Sequence, residues 1–592
     1  MRYRNTILVL AVVNCAALIA FATSYTKAEG TRSLQFWTTH ALVKVRPDDP
    51  PPHGPAQSAE IWAARNEFES FQIILRTTKV DLAGVDSAVS DLRNAEGMIL
   101  PGGTVAVYRE EYLKLGQPSS VEGEAGEWPD PLIPRVDRYW HEQRNAFPFL
   151  LKRERNQPLW IEVYVPRDQP PGDYQGSITI SSRTGSEGAI PFTVHVWDFT
   201  LPSTSSLQTA FGLGGIGLLK QHRGRYTNDG DLLAITRVYA EAALMHRISI
   251  YGGSMLPPAI SREGKGFPID WGGYDDELGP FLDGTVFGPE HPLPGARATS
   301  VDLRISGHAD SDEDRIRYIH QWIEHFEKKG WIERLYCYLL DEPTAEDHAK
   351  VTARGTLMRR ASPKLSNLVT TSFSRQLAAE VDIWAPLINC FELKPGFPDF
   401  CSRPVSRGEY LEEITGGKRL WWYQSCASHG CSASTSEYFR GWPSYAIDVP
   451  AVSNRIMEWL TWKYRISGEL YYNMTESYEL QRDPWRDLYL HGGNGDGSLF
   501  YPGRIDRIGG NRDVPIESIR LKLIRDGLED YEYLTLLAAN GYLKFADDEV
   551  NRLVSNTYSW ENNPELLYSI REEMGRKLDG ISRLNANDSP SR

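Results

Sequence analysis

The sequence predicts a multidomain α/β protein: an N-terminal antiparallel β-sandwich, a (β/α)8 TIM-type barrel after it, and C-terminal helices packed on the barrel. Three observations carry this. Apolar residues recur with period two from about residue 33 to 200, with no helical stretch between the strands. After the linker Leu201-Pro202-Ser203-Thr204-Ser205-Ser206 the rhythm changes to helix and strand in alternation. Beyond about residue 510 it becomes helical. The chain divides accordingly into a signal peptide (1–22), a sandwich (33–200), a barrel (207–510), a helical segment (511–584) and a disordered tail (585–592). With 592 residues it is too long for one hydrophobic core.

The first residues have the pattern of an export signal. Arg2 and Arg4 precede an apolar run from Ile7 to Ala22, with small residues at Ala20 and Ala22. That run of about 16 residues falls short of the roughly 20 that span a bilayer. Cleavage after Ala22 is the reading, with a retained anchor as its alternative. The mature protein is then secreted, periplasmic or held at the cell surface, with no membrane insertion. In the sandwich, Trp160 to Val165 alternates as a half-buried strand does, and Pro170-Pro171-Gly172-Asp173 turns the chain into the strand Tyr174–Ile180. Phe192, Val194 and Val196 mark another strand.

Within the barrel, Ser311 caps a helix whose first turn holds Asp312, Glu313 and Asp314, favourable charges at the positive end of the helix dipole. Ile316, Ile319, Ile323 and Phe326 repeat at helical spacing, and Gly330 stops the helix. The apolar strand Leu335–Leu340 follows, and Thr344 with Asp347 begins the next helix as a capping box. Leu368–Phe373, Val381–Pro386, Leu420–Gln424 and Glu469–Asn473 read as further barrel strands. Toward the C-terminus, Ile516, Ile519, Leu523 and Ile524 are expected on one helix face, and Asn563-Pro564 opens another helix.

Asp341-Glu342-Pro343 stands where the strand Leu335–Leu340 meets that helix start. Barrel enzymes place their chemistry at the C-terminal ends of strands. Neighbouring strand residues point to opposite faces, so two carboxylates acting together require the strand to have ended there. Pro343 supports an ending, because it donates no backbone hydrogen and biases the residue before it toward extended geometry. Trp384, Trp421, Tyr423 and Tyr472 lie at or near predicted strand ends, where a ring could stack on a sugar, although a core role competes at each. Trp421 and Tyr423 share strand parity, which leaves Trp422 for the opposite face.

Bulk properties narrow the partners. A net charge of −14 repels nucleic-acid backbones and anionic membranes, so neutral ligands fit better. Seventeen Trp and 29 Tyr supply aromatic surface suited to carbohydrate as well as to large cores. Outside the signal, Cys337, Cys390, Cys401, Cys426 and Cys431 match no zinc spacing. Export permits one or two disulfides, the closest pairs being Cys390–Cys401 and Cys426–Cys431, with buried thiols as the alternative. Asn494-Gly495-Asp496-Gly497 lacks the ligand spacing of a calcium loop and reads as a tight turn on the pocket rim. His246-Arg247 is expected to be structural. No Walker, dinucleotide or nucleophile-elbow motif is present. No cofactor and no metal are expected.

The chain resembles glycoside hydrolase family 123 across most of its mature length. The resemblance rests on Ala64 to Gln72, Asp341-Glu342-Pro343, Leu420 to Tyr423, Trp459 to Tyr464, Gly495-Asp496-Gly497 with Tyr501-Pro502-Gly503, and Ser518 to Leu534. It implies a retaining β-N-acetylgalactosaminidase that takes its nucleophile from the substrate. Glu342 would be the acid and then the base, while Asp341 would hold the 2-acetamido group as its carbonyl oxygen attacks the anomeric carbon. That explains how both carboxylates can be sequence neighbours, since ordinary retaining enzymes need two about 5–5.5 Å apart across the sugar. The alternatives are a barrel glycosidase of another specificity, with a carboxylate such as Asp382 as nucleophile, and a non-catalytic carbohydrate-binding surface protein.

Overall fold

The computed structural model describes residues 34–252, 257–260, 268–304, 311–396, 401, 405–429, 431 and 437–587. The expected signal peptide lies outside the described residues. No helix among them is long and apolar enough to cross a membrane.

Two seven-stranded sheets face each other in the N-terminal region. Their shared core includes Ile73, Leu75, Val107, Ile161, Val163, Ile178 and Val194. The strand Gln157–Val165 alternates as expected, yet it is buried on both faces. Leu159, Ile161 and Val163 enter the sandwich core, whereas Trp160 joins the cluster shared with the barrel. One sheet also extends beyond the sandwich sequence. Its outer strands are Val514–Ser518 and Phe500–Gly503, with Val514–Ser518 paired antiparallel to Gly126–Pro134. This seam crosses the division expected near residue 510, and it places Ile516 in a strand instead of on a helix face. The helix begins only at Ile519, capped by Ser518, which accepts the Leu521 amide.

Eight parallel strands form a barrel-like sheet in sequence order. They are β1 (Gln208–Gly212), β2 (Ile250–Tyr251), β3 (Val301–Asp302), β4 (Leu335–Leu340), β5 (Ser366–Val369), β6 (Ile383–Trp384), β7 (Arg419–Tyr423) and β8 (Gly468–Tyr471). Strand β8 pairs back onto β1, so the order is that of a ring. Between β2 and β3, however, no backbone ladder joins the described residues, and a cavity of about 30 Å³ lies beside them. Side chains bridge the gap: the Thr299 amide donates to Ser249 Oγ at 2.7 Å. A closed (β/α)8 ring is therefore not what the described ladders form.

Helix Asp312–Lys329 has the expected Ser311 cap and Gly330 stop, and it buries Ile319, Ile323 and Phe326. The Thr344–Asp347 capping box is also present, opening a single 3-10 turn that runs into helix His348–Ala361. The last helix, Pro564–Asn587, continues into the segment expected to be a disordered tail.

Helix Ile519–Ala539 is buried along most of its length although it carries seven buried charged side chains from Arg520 to Glu532. Each meets a partner in another layer. Arg520 pairs with Asp130 at 2.8 Å, Lys522 with Glu162 at 2.8 Å, and Asp530 with Arg455 at 2.7 Å and Arg571 at 2.8 Å. Glu529 meets the buried Arg247 at 3.2 Å, which confirms the structural reading of that residue. Burial alone would raise the Glu162 carboxyl, but Lys522, Arg525 and Arg138 hold it well below the usual carboxylate range. Helix Met457–Lys463 sits close by, with its Glu458 beside Glu469 of β8. There Glu469 accepts from the Tyr445 hydroxyl at 2.5 Å, and burial pushes its carboxyl up to about 8. Its neighbour Glu458 is likewise raised, first by burial and then by the charge of Glu469.

Two outcomes follow from these buried charges. Asp130→Leu strands the Arg520 guanidinium and is expected to cost about 3–5 kcal/mol, read by thermal or denaturant unfolding; a loss under about 1 kcal/mol would show that the pair is not integral. Glu469 is protonated in the fold and ionised in the unfolded chain once pH exceeds its ordinary value, so its contribution is complete at low pH and is lost as pH rises toward about 8. The melting temperature of Glu469→Gln is therefore expected to fall less between pH 5 and 8 than that of the parent; parallel curves would refute the assignment.

Candidate active site

Strand β4 alternates, sending Tyr336 into the barrel interior and Leu335, Cys337 and Leu339 outward toward the helices. It ends at Leu340, and the chain then turns out of the sheet. Glu342 takes a φ of 40°, in the left-handed region, and not the extended geometry expected before Pro343. A non-glycine residue pays about 1–2 kcal/mol to sit there. The hydroxyl of Thr370, just past the end of β5, offsets this by accepting the Glu342 amide at 2.7 Å.

The reversal presents both carboxylates at the C-terminal rim, where they are exposed. Asp341 Oδ1 accepts from the Tyr338 hydroxyl at 2.5 Å and from Thr370 Oγ1 at 3.0 Å. Glu342 Oε1 accepts from the Tyr423 hydroxyl at 2.5 Å. Among the described residues, Asp341 Oδ2 and Glu342 Oε2 have no hydrogen-bond partner. Each carboxylate is thus anchored by one oxygen and open at the other. Burial, followed by the charge of Glu342, holds the Tyr423 phenol well above its ordinary range, so it stays a donor. Tyr338 is raised in the same way, chiefly by burial.

The other candidates are placed at different depths. Tyr472 does not bond to either carboxylate; its hydroxyl donates to Asp496 at 2.9 Å, while its carbonyl accepts from Tyr251 at 3.3 Å. The Tyr251 ring meets that of Tyr338 edge-on at 6.3 Å, so Tyr472 stands one layer behind the acidic pair. Trp421 shares the inward face with Tyr423, as parity requires, but it lies deeper: it is fully buried against Gly468 and the ring of Tyr336. Trp384 faces the other way, packed on Phe373 in the layer between sheet and helices. Neither tryptophan is exposed to a ligand at the rim. Trp422 occupies the opposite face of β7 and donates to Thr461 at 2.9 Å.

Asp382 cannot serve as a partner carboxylate. It precedes β6 and so lies at the N-terminal end of the sheet, bonded to Arg359 at 2.5 Å and to the Asn367 amide at 2.8 Å. Tyr338, Thr370 and Tyr251 were not singled out from sequence. Tyr338 could have been, since it lies three positions before Asp341 on the inward face of its strand.

Both closest cysteine pairs form disulfides, Cys390–Cys401 after β6 and Cys426–Cys431 after β7, and Cys337 is a buried free thiol. The second bridge begins three residues beyond Tyr423. Asp496 closes this side of the rim by accepting the Ala427 amide at 3.2 Å as well as the Tyr472 hydroxyl, and burial raises its carboxyl. The turn holding it was expected at the rim. No group of three or more potential metal ligands occurs among the described residues.

Two family profiles match the chain: the glycoside hydrolase 123 N-terminal domain over residues 44–182 and the glycoside hydrolase 123 catalytic domain over residues 306–537. No curated protein matches it. The solved structure of a family 123 glycoside hydrolase from Clostridium perfringens, described for glycolipid glycan hydrolysis, is similar in fold. It aligns with a TM-score of 0.65 at 14% identity, covering 93% of this chain and 99% of that one. A Bacteroides ovatus GH5 xyloglucanase aligns over 80% of this chain and 98% of its own at 11% identity, with a TM-score of only 0.26.

Proposed function

Because the chain belongs to glycoside hydrolase family 123, we propose that it releases β-linked N-acetylhexosamine, in particular N-acetylgalactosamine, from glycans or glycoconjugates with retention of configuration. The observation that carries this reading is the pair of rim carboxylates, each anchored by one oxygen and open at the other. Glu342 acts first as acid, passing its proton to the glycosidic oxygen, and then as base, taking one from water. Asp341 accepts the N–H of the substrate's 2-acetamido group, orienting the acetamido oxygen toward the anomeric carbon and balancing the charge that develops. Tyr423, Tyr338 and Thr370 are positioning residues that hold these carboxylates.

The eight-stranded sheet fits a (β/α)8 barrel opened between β2 and β3, with the carboxylates at its C-terminal mouth. The glycans of glycolipids are one natural substrate class, given what the Clostridium perfringens enzyme acts on. The two disulfides support a location outside the cytoplasm, in keeping with the signal-like start of the chain.

A nitrophenyl-glycoside screen tests the assignment. The parent is expected to cleave β-glycosides bearing a 2-acetamido group and to leave 2-hydroxy analogues intact, with the β-anomer appearing first by NMR. Glu342→Gln should lower kcat on unactivated glycosides by about 10²–10⁴, and Asp341→Ala by on the order of 10². Equal turnover of the 2-hydroxy analogues, or near-normal rates of Glu342→Gln on unactivated glycosides, would overturn the proposal. Tyr423→Phe removes one donor to a charged acceptor and is expected to cost about 1.5–3 kcal/mol in kcat/KM, with the melting temperature little changed; unaltered kinetics would remove Tyr423 from its positioning role.

A further inference from the structure

A cavity of about 640 Å³ lies where the N-terminal sandwich meets the last helix, and none of its lining residues comes from β1–β8 or their rims. Its size falls within the roughly 300–1,000 Å³ of small-molecule sites. We infer that this cavity is a second, non-catalytic site that binds a neutral oligosaccharide.

Three aromatic rings line it, and each is fixed in place. Trp62 stacks on His195 with centroids 4.7 Å apart. Tyr568 stacks on His40 at 4.8 Å and has the Arg455 guanidinium 5.7 Å from its ring centroid, so the half-buried Trp62 and Trp197 supply the contact area. Trp197 packs so closely on the last helix that a Cβ at Gly575 would come within 2.7 Å of its indole. Rings held in this way present contact area without an ordering cost, and their apolar faces suit the C–H faces of a pyranose.

Polar side chains of the same wall, Thr39, Ser58 and Glu60 among them, can exchange hydrogen bonds with a hydroxyl-rich ligand. Sugar hydroxyls both donate and accept, so they can satisfy two such groups at once.

Charge selects among sugars. The lining cations are already engaged: Arg571 by Glu67, Glu69 and Asp530, and His40 by Glu565 at 2.8 Å. Glu60 adds negative charge to the wall. Sialylated or phosphorylated glycans are therefore disfavoured, and neutral ones remain. Such a site would keep a multivalent glycan near the catalytic rim by raising its effective concentration.

Calorimetric titration of the full chain carrying Glu342→Gln tests this. The probes are chitotetraose, cellotetraose and a neutral galactose-containing tetrasaccharide, with sialyllactose as the anionic control. At least one neutral probe is expected to bind, with affinity that survives an added Asp341→Ala, falls more than tenfold with Trp62→Ala, and falls about two- to tenfold with Trp197→Phe. Trp197→Phe keeps an aromatic ring and guards against a misfolded Trp62 variant, whose integrity circular dichroism checks. Sialyllactose is expected not to bind. Binding that disappears with Asp341→Ala but ignores Trp62→Ala and Trp197→Phe would overturn the inference, as would the absence of binding by every neutral probe. Two of the probes lack a 2-acetamido group, so failure of the catalytic proposal leaves this test intact.

Discussion

The helix Ile519–Ala539 sets the constraint on which the rest of the molecule depends: it is buried, and it is charged. Burying an ion costs several kcal/mol unless a well-placed counter-ion meets it. Every charge on this helix must therefore find its partner inside the protein, and the partners come from separate regions. Asp130 and Glu162 belong to the sandwich, Arg455 to a helix outside the barrel, and Arg571 to the last helix. Sliding any of these layers would strand a charge. Close approach is also needed, and Gly527 permits it, since a Cβ there would come within 2.3 Å of the Glu458 carboxylate and 2.9 Å of the Arg455 carbonyl.

That constraint reaches the catalytic rim through one residue. Arg520, anchored on Asp130, also donates to the carbonyls of Gly495 and Ser498, and so fixes the turn between them. Gly495 allows this approach: its φ is 84°, and a Cβ would lie 2.9 Å from the guanidinium. The turn carries Asp496, which takes the Tyr472 hydroxyl, and the Tyr472 carbonyl takes that of Tyr251. Tyr251 in turn packs edge-on against Tyr338, which holds Asp341. The sandwich therefore contributes to the position of a carboxylate it never touches.

How much of this the sequence disclosed depended on the range of the interaction. The strand Leu335–Leu340, the caps at Ser311 and Thr344, and the acidic pair rest on local spacing and were legible. Tyr423 was found by its position at a strand end and the parity it shares with Trp421. The same logic overreached for Trp421, because parity gives the face of a strand but not the depth within a barrel. It failed for Trp384, where the observed strand has only two residues. Pairings between distant segments left no local trace: Val514–Ser518 adds to a sheet begun before residue 40, and neither that ladder nor the counter-ions of helix Ile519–Ala539 are visible in periodicity. The left-handed turn at Glu342 was hidden too, because Pro343 argues for extended geometry and only Thr370, from the next strand, stabilises the exception.

The proposed chemistry follows from what adjacency permits. A retaining enzyme with its own nucleophile sets two carboxylates on opposite sides of the sugar. Consecutive residues at one strand end approach from the same side, so the nucleophile would have to come from elsewhere. Two other carboxylates described near this end of the sheet are engaged. Asp302 is bonded to Arg304 at 3.1 Å and raised by burial, and Asp496 is filled by tyrosine hydroxyls and a backbone amide. Asp382 lies at the far end of its strand. A nucleophile carried by the substrate resolves the geometry, because an acetamido oxygen beside the anomeric carbon attacks from within the sugar. One carboxylate then serves the leaving oxygen while its neighbour holds the acetamido N–H. Under this reading the left-handed backbone at Glu342 is what allows two successive residues to share one substrate.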